Sequence, residues 1–218
     1  MDCVDGVLLS EDARHRRVVT PRIGTKQRAN AKTTPAQSRR VARRVLVPDK
    51  WTLATLHNYL QWVMGWTDSH AHEFEIGAGL VAPDWWIREA WSEEEANRYR
   101  DERRVSVAVV VAELGPRGAF ESLYDIGDGW AHRIVIEAAP PSAAGKCPLP
   151  VCVAGENACP PEDVGGPHGY AEFLRALGER RHEQHEDMAR WIGGVFDPKG
   201  FDLNWINRDW KGAKRRRR

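Results

Sequence analysis

The sequence has no run of 18 apolar residues, and its first residues lack the apolar stretch of a secretory signal peptide. Both absences argue against membrane insertion and export, so we expect a cytoplasmic protein that makes no membrane contact. Cysteine is scarce as well, with four in 218 residues. In a cytoplasmic chain of this size, four cysteines favour reduced thiols or a metal site over a disulfide framework.

The cysteine spacing gives little support to a zinc site. Cys147, Cys152 and Cys159 follow the pattern C-x4-C-x6-C, without the C-x2-C pair that is typical of structural zinc sites. A fourth ligand would have to come from His132 or His168. Cys152, Cys159 and His132 are therefore weak metal candidates, and buried thiols that brace a loop are the alternative.

Charge is spread unevenly along the chain. Residues 1–44 hold 11 Lys and Arg against 4 Asp and Glu, residues 211–218 hold 6 basic residues and no acid, and the stretch between holds 15 basic and 27 acidic residues. Basic ends can contact a nucleic acid or a protein partner, or they can remain solvated. No RNP-like, helix-turn-helix or zinc-finger pattern accompanies them. The oligomeric state is not indicated.

These patterns divide the chain into three parts. Residues 1–38 lack apolar periodicity, so we expect a disordered basic segment there. Residues 39–210 hold the hydrophobic content of one domain, and residues 211–218 form a basic C-terminal tail. Within the domain, the mixture of helical and strand patterns predicts the α+β class.

Several elements are predicted from local patterns. Apolar residues at three- and four-residue spacing predict a helix at about 51–64, with Thr52 or Asp49 as N-cap and Gly65 as stop. Alternation over 70–76 predicts a strand that buries its histidines together with Phe74 and Ile76. Residues 105–111 fit either a strand or a short helix that begins at Ser106 and stops at Gly115.

A hairpin is predicted over residues 119–137, because two alternating runs flank Asp128 and Gly129. With a two-residue turn, Asp125 would lie directly opposite His132, and a carboxylate beside an imidazole suits a general base or a metal ligand. A longer turn would shift this register. Alternatively, Asp125 and Asp128 only bind backbone amides of the turn, while Trp130 and His132 pack.

Two further groups of residues are candidates for binding. The segment 124–170 combines aromatic and polar side chains into a predicted binding surface, formed by Tyr124, Trp130, Glu162, Asp163, His168 and Tyr170. The acids Glu162 and Asp163 could join Asp125, Asp128 and His132 around a divalent cation, or they could simply favour the N-terminus of the next helix. Among ten tryptophans, Trp85, Trp86 and Trp130 are the candidates for ligand stacking.

The motifs taken together resemble one family. The residues that carry the resemblance are Arg43–Pro48, Leu53–His57, Gly65–His70, Tyr124–His132, Cys152–Gly166 and Phe196–Leu203. They are similar to the plasmid pRiA4b ORF-3-like family, some of whose members are labelled passenger, resolvase-like proteins of mobile elements. The resemblance implies a mixed or antiparallel sheet covered by helices, and a helix near 105–114. Residues 1–38 do not resemble the family's opening strand.

The resemblance implies no known activity, so two functions remain open. The first is a non-catalytic binding or interaction module, carried by plasmids or transposons, that presents the 124–170 surface to a protein or nucleic acid. The second is a metal-assisted hydrolase or nuclease, in which Asp125, Asp128 and Glu162 hold a divalent cation and His132 acts as base.

Overall fold

The computed structural model describes residues 16–23, 41–138 and 149–216. They form eight strands and seven helices, in the chain order β1 (Arg16–Ile23), β2 (Val41–Pro48), α1 (Leu53–Met64), β3 (His72–Ile76), β4 (Gly79–Ala82), α2 (Asp84–Arg88), α3 (Glu93–Ala96), β5 (Tyr99–Asp101), α4 (Val107–Leu114), β6 (Ala119–Tyr124), β7 (Trp130–Ala138), β8 (Val151–Glu156), α5 (Gly166–Gly178), α6 (His185–Ile192) and α7 (Leu203–Arg216). None of these helices is long and apolar enough to cross a membrane.

All eight strands belong to one sheet, in the order β5-β4-β3-β6-β7-β1-β2-β8. The sheet is mixed, because β4 and β5 are parallel while the other neighbouring pairs are antiparallel. Helices pack against it, which confirms the α+β class and the mixed sheet. The predicted helix at 51–64 is α1, with Thr52 as its N-cap, and the helix alternative for 105–111 is α4, capped by Ser106.

Two apolar clusters hold helices against the sheet. The first joins α1 and α4 to the central strands and includes Val45, Leu56, Phe74, Val110 and Ile134. The second lies under α5 and includes Trp66, Tyr124, Trp130, Tyr170 and Phe173. Burial of these side chains is the main stabilising contribution, at about 1.5–3 kcal/mol for each large residue.

One expectation about the backbone is corrected. Arg16–Ile23 form β1 between β2 and β7, so disorder is wrong for these eight residues; the rest of 1–38 lies outside the described residues. This strand was not predicted, because its residues show neither a turn signal nor a clear alternation. Further along the chain, Val151–Glu156 pair with β2. Residues 211–216 continue α7, and residues 217–218 lie outside the described residues.

The predicted hairpin exists, but its register differs. Tyr124 pairs with Trp130 and Ser122 pairs with His132, so five residues, 125–129, connect β6 to β7. Asp125 adopts a left-handed conformation at φ 51° and turns the chain early. Asp125 therefore does not face His132, and the predicted pair is wrong.

The hairpin turn touches the start of α5 at a glycine. A Cβ on Gly166 would lie 2.4 Å from the carbonyl oxygen of Asp128, and Gly166 has a φ of +68°. Strain and overlap together should lower the free energy of unfolding of Gly166→Ala by about 2–4 kcal/mol, measured by urea denaturation. Gly178→Ala is the control, since no atom lies within 4 Å of its Cβ position. Equal urea midpoints for the two variants would contradict this contact.

Candidate functional site

The end of α1 brings an aspartate back onto a histidine of the same helix. Gly65 ends α1 at φ 85°, and the chain then turns so that the backbone N–H of Asp68 donates to the side-chain oxygen of Gln61. His57 lies one helical turn before Gln61, on the same face. As a result, Nε2 of His57 lies 2.8 Å from Oδ1 of Asp68.

A second histidine comes from the start of β3 and meets a glutamate. His72 is buried on the inner face of the strand, two residues before Phe74. Glu102 follows β5, and its backbone carbonyl accepts from the N–H of Ala54 near the start of α1. This contact places the carboxylate so that Oε2 of Glu102 lies 2.8 Å from Nε2 of His72.

The two imidazole rings lie face to face. The ring centroids of His57 and His72 are 3.3 Å apart, and the ring planes differ by 6°. Three donor atoms lie within 4.8 Å of one another, one from each of His57, Asp68 and His72. Two imidazole nitrogens and a carboxylate oxygen are a donor set that suits Zn²⁺ and related transition metals.

The histidine pair is supported by apolar packing, and this affects protonation. Phe74 contacts both rings edge-on, with centroid distances of 6.4 Å to His57 and 6.0 Å to His72. Burial lowers the pKa of His57 below its usual value, while the hydrogen bond to Asp68 acts in the opposite direction. His57 is therefore neutral at pH 7, which is the protonation state of a metal ligand.

The site opens into a cleft of about 380 Å³. His57 and His72 lie in its wall together with Asp68 and Glu102, and Trp85 and Arg103 also line the cleft. Glu102 is 7% exposed, whereas the side chain of Asp68 is 28% exposed. The polar groups are thus held by the fold but can be reached from solvent.

A second group of donors lies beside the first. Nε2 of His70 is 2.9 Å from Oδ1 of Asp163 and 3.6 Å from Oδ2 of Asp125. In the part of the chain that the structure describes, this trio and the His57 trio are the places where three such donors converge. Asp68, Asp125 and Asp163 all have positive φ, at 61°, 51° and 58°. Strained backbone of this kind is concentrated at functional sites.

The four residues of the predicted cation site are not brought together. Asp125 accepts the N–H of Asp128 within the turn, as the alternative interpretation had it, whereas Asp128 accepts the N–H of Gly165 at the start of α5. Glu162 accepts from the N–H of Thr67 and from the hydroxyl of Tyr124. These carboxylates are occupied by the turn and by loop contacts.

His132 is buried away from the cleft. Its Nδ1 donates to the carbonyl of Ser122 at 3.1 Å, so Nε2 is the unprotonated nitrogen, and no group of the described residues hydrogen-bonds to it. Burial lowers the pKa of His132 to about 4. A neutral, enclosed imidazole cannot serve as the predicted base at this position, because substrate cannot reach it.

The predicted binding surface is only partly on the surface. Tyr124, Trp130 and Tyr170 are less than 5% exposed, since they pack together in the second apolar cluster. Asp163 and His168 are exposed, and Glu162 is half-buried. The sequence does not separate buried aromatic residues from exposed ones when polar residues surround both.

The cysteine candidates lie apart from both donor groups. Cys152 and Cys159 are free thiols, and Cys147 lies outside the described residues. Burial raises the pKa of Cys152 to about 11 and raises that of Cys159 further, although Arg43 opposes both shifts. Protonated, enclosed thiols suit packing.

The histidine–carboxylate pairs His57–Asp68 and His72–Glu102 were not predicted from the sequence. One signal was present, because three of the eight histidines lie within residues 57–72. The alternation that predicts β3 also gives His72 a packing role, and nothing local ties His72 to Glu102, 30 residues away. Of the tryptophans considered for stacking, Trp85 lies in the cleft, while Trp130 is buried.

The fold and the site define an α+β domain with a histidine-rich polar cleft beside one strand of a mixed sheet. The chain belongs to the plasmid pRiA4b ORF-3-like protein family, whose sequence model matches residues 34–205. It is 41% identical over 172 residues to the uncharacterized protein y4hQ of Sinorhizobium fredii (strain NBRC 101917 / NGR234), covering 77% of this chain and 82% of that protein.

A solved structure has the same fold. The crystal structure of MM3350, a protein of unknown function from Methanosarcina mazei Go1, superposes with a TM-score of 0.66 at 26% sequence identity. The match covers 88% of this chain and 97% of MM3350. Family membership therefore confirms the resemblance and the fold, while the function has to be argued from the site.

Proposed function

We propose that the protein is a hydrolase that depends on one divalent transition-metal ion bound by His57, Asp68 and His72. The observation that carries this proposal is the convergence of one donor atom from each residue within 4.8 Å, in the wall of an open cleft. Structural zinc sites are closed by four protein ligands. Three ligands beside a cleft leave a coordination position for water or substrate, as in catalytic sites.

Glu102 is positioned to act as the base. Oε2 of Glu102 lies 2.8 Å from Nε2 of His72, so this carboxylate lies beside the three residues that would hold the cation. The cation supplies Lewis acidity, which lowers the pKa of water and polarises the substrate. Glu102 accepts one proton from the attacking water, the water oxygen bonds to the electrophilic atom, and the leaving oxygen departs with the bonding pair and takes up that proton.

This proposal keeps the metal-assisted chemistry considered from the sequence but assigns it to other residues. Asp125, Asp128 and Glu162 are engaged with backbone or loop groups, and His132 is enclosed. A non-catalytic interaction module is less well supported, because three aromatic members of its expected surface are buried. It becomes the better description if the metal-loaded protein hydrolyses no ester.

Glu102→Gln should reduce ester hydrolysis by about 100-fold or more while zinc still binds, since a general base contributes about 10²–10⁴-fold. Hydrolysis is measured on the zinc-loaded full chain with 4-nitrophenyl acetate and 4-nitrophenyl phosphate, and bound zinc is measured in the same samples. Glu113→Gln is the matched control, because Glu113 pairs with Arg100 outside the cleft. Equal rates for the two variants would refute the role of Glu102.

A further inference from the structure

Trp85 and Arg103 line the cleft beside the histidine pair. Trp85 is 49% exposed and lies in the cleft wall. Its ring meets that of Trp86 edge-on, with the centroids 5.8 Å apart and the planes at 84°. An exposed indole in a cleft wall offers a flat face, and flat faces stack on nucleobases.

Arg103 differs from the arginines on either side of it. Arg100 pairs with Glu113, and Nε of Arg104 lies 3.7 Å from Oδ2 of Asp101. The guanidinium of Arg103 pairs with no carboxylate of the described residues, although its backbone N–H donates to Asp101. A guanidinium in a cleft without an internal partner is suited to a phosphate, which it binds through two parallel hydrogen bonds.

The charge of the cleft makes anion binding depend on the metal. Without a cation, the carboxylates of Asp68 and Glu102 outnumber the single charge of Arg103, so the cleft repels a phosphate. A divalent cation makes the net charge of these groups positive, because the imidazole ligands are neutral when they bind it. The volume of about 380 Å³ falls in the range of small-molecule sites.

We infer that the substrate class of this cleft is a nucleotide unit, whose base stacks on Trp85 and whose phosphate binds Arg103 and the cation. The inference rests on the proposed metal site and extends it. A free nucleotide and the terminal nucleotide of a strand share this chemistry. Carboxylic esters lack both the charge for Arg103 and the planar base for Trp85.

The test is calorimetric titration of the zinc-loaded full chain with AMP and with ribose 5-phosphate, which lacks the base. AMP should bind about tenfold more tightly, because stacking one base on an aromatic ring contributes about 1–3 kcal/mol. Trp85→Ala should remove this difference, and Arg103→Ala should weaken both ligands by about tenfold or more. Zinc-free protein should bind neither ligand.

Two exposed residues outside the cleft serve as matched controls. Trp91 is 96% exposed, and Arg104 is the neighbour of Arg103, so Trp91→Ala and Arg104→Ala should leave both affinities unchanged. Equal affinities for AMP and ribose 5-phosphate, or the same loss in Trp91→Ala as in Trp85→Ala, would overturn the nucleotide assignment. Zinc bound without any AMP binding would overturn it as well, while the metal site would stand.

Zinc is titrated into the protein before any nucleotide is added. A protein that binds no zinc contradicts the proposed function, and this result is distinct from a failure to bind AMP. Binding of thymidine 5′-monophosphate is compared with binding of a 5′-phosphorylated hexathymidylate, to distinguish a free nucleotide from the end of a strand. Tighter binding of the hexanucleotide identifies a strand end, and equal binding identifies a free nucleotide. Either result supports a nucleotide unit as the substrate class of the cleft.

Discussion

Replacing His57 or His72 with glutamine should lower the affinity for zinc by about 100-fold or more. Each variant removes one of three protein ligands, and loss of a hydrogen bond to a ligand alone costs about 10–100-fold in other sites. The affinity is measured by competition with a chromophoric chelator. His168→Gln is the matched control, because His168 is exposed and lies outside both donor groups.

The buried histidines also contribute to folding, so a second variant separates binding from stability. Asp68→Asn keeps the size of the side chain, and Asp68 is part-exposed, so the fold should tolerate it. Its zinc affinity should fall while thermal unfolding of the zinc-free protein is little changed. If all three variants retain zinc affinity within about threefold, and Cys152→Ser loses it, the cation site is misplaced.

Acid should destabilise the protein by about 2 kcal/mol between pH 7 and pH 5. Burial lowers the pKa of His132 to about 4, whereas an unfolded histidine has a pKa of about 6.5. Between these values the unfolded chain binds a proton that the folded chain does not, so stability present above pH 6.5 is lost as the pH falls. The lowered pKa of His57 acts in the same direction.

Urea denaturation at pH 7, 6 and 5 measures this dependence. His132→Phe should flatten much of it, because the variant has no group to protonate in the unfolded state. His168→Phe is the control, since His168 is exposed. An unchanged pH dependence in His132→Phe would contradict the burial and protonation assigned to His132.

Local rules predicted α1, left α4 open between a helix and a strand, and failed on the hairpin register. The caps of α1 and α4 were visible in the sequence because Thr52, Ser106 and Gly65 act on neighbouring backbone groups. Asp128 and Gly129 signalled a two-residue turn, but Asp125 already turns the chain at φ 51°. A left-handed aspartate is a residue-level choice that no periodicity reveals.

The candidate site depends on contacts that are distant in sequence. His57 meets His72 only because α1 packs on β3, and Glu102 arrives through the parallel pairing of β4 with β5. Each residue alone fits packing or solvation, so its type does not distinguish a ligand from a core residue. Placing chemistry at Asp125 and His132 failed because it needed an exact register, which the turn changed.

X-ray absorption at the zinc edge of the zinc-loaded protein identifies the atoms that bind the metal. Ligation by His57, Asp68 and His72 predicts a first shell of nitrogen and oxygen only, at about 2.0–2.2 Å, with the imidazole scattering of two histidines. Sulfur scattering at about 2.3 Å would instead place the metal on cysteine and contradict ligation by His57, Asp68 and His72.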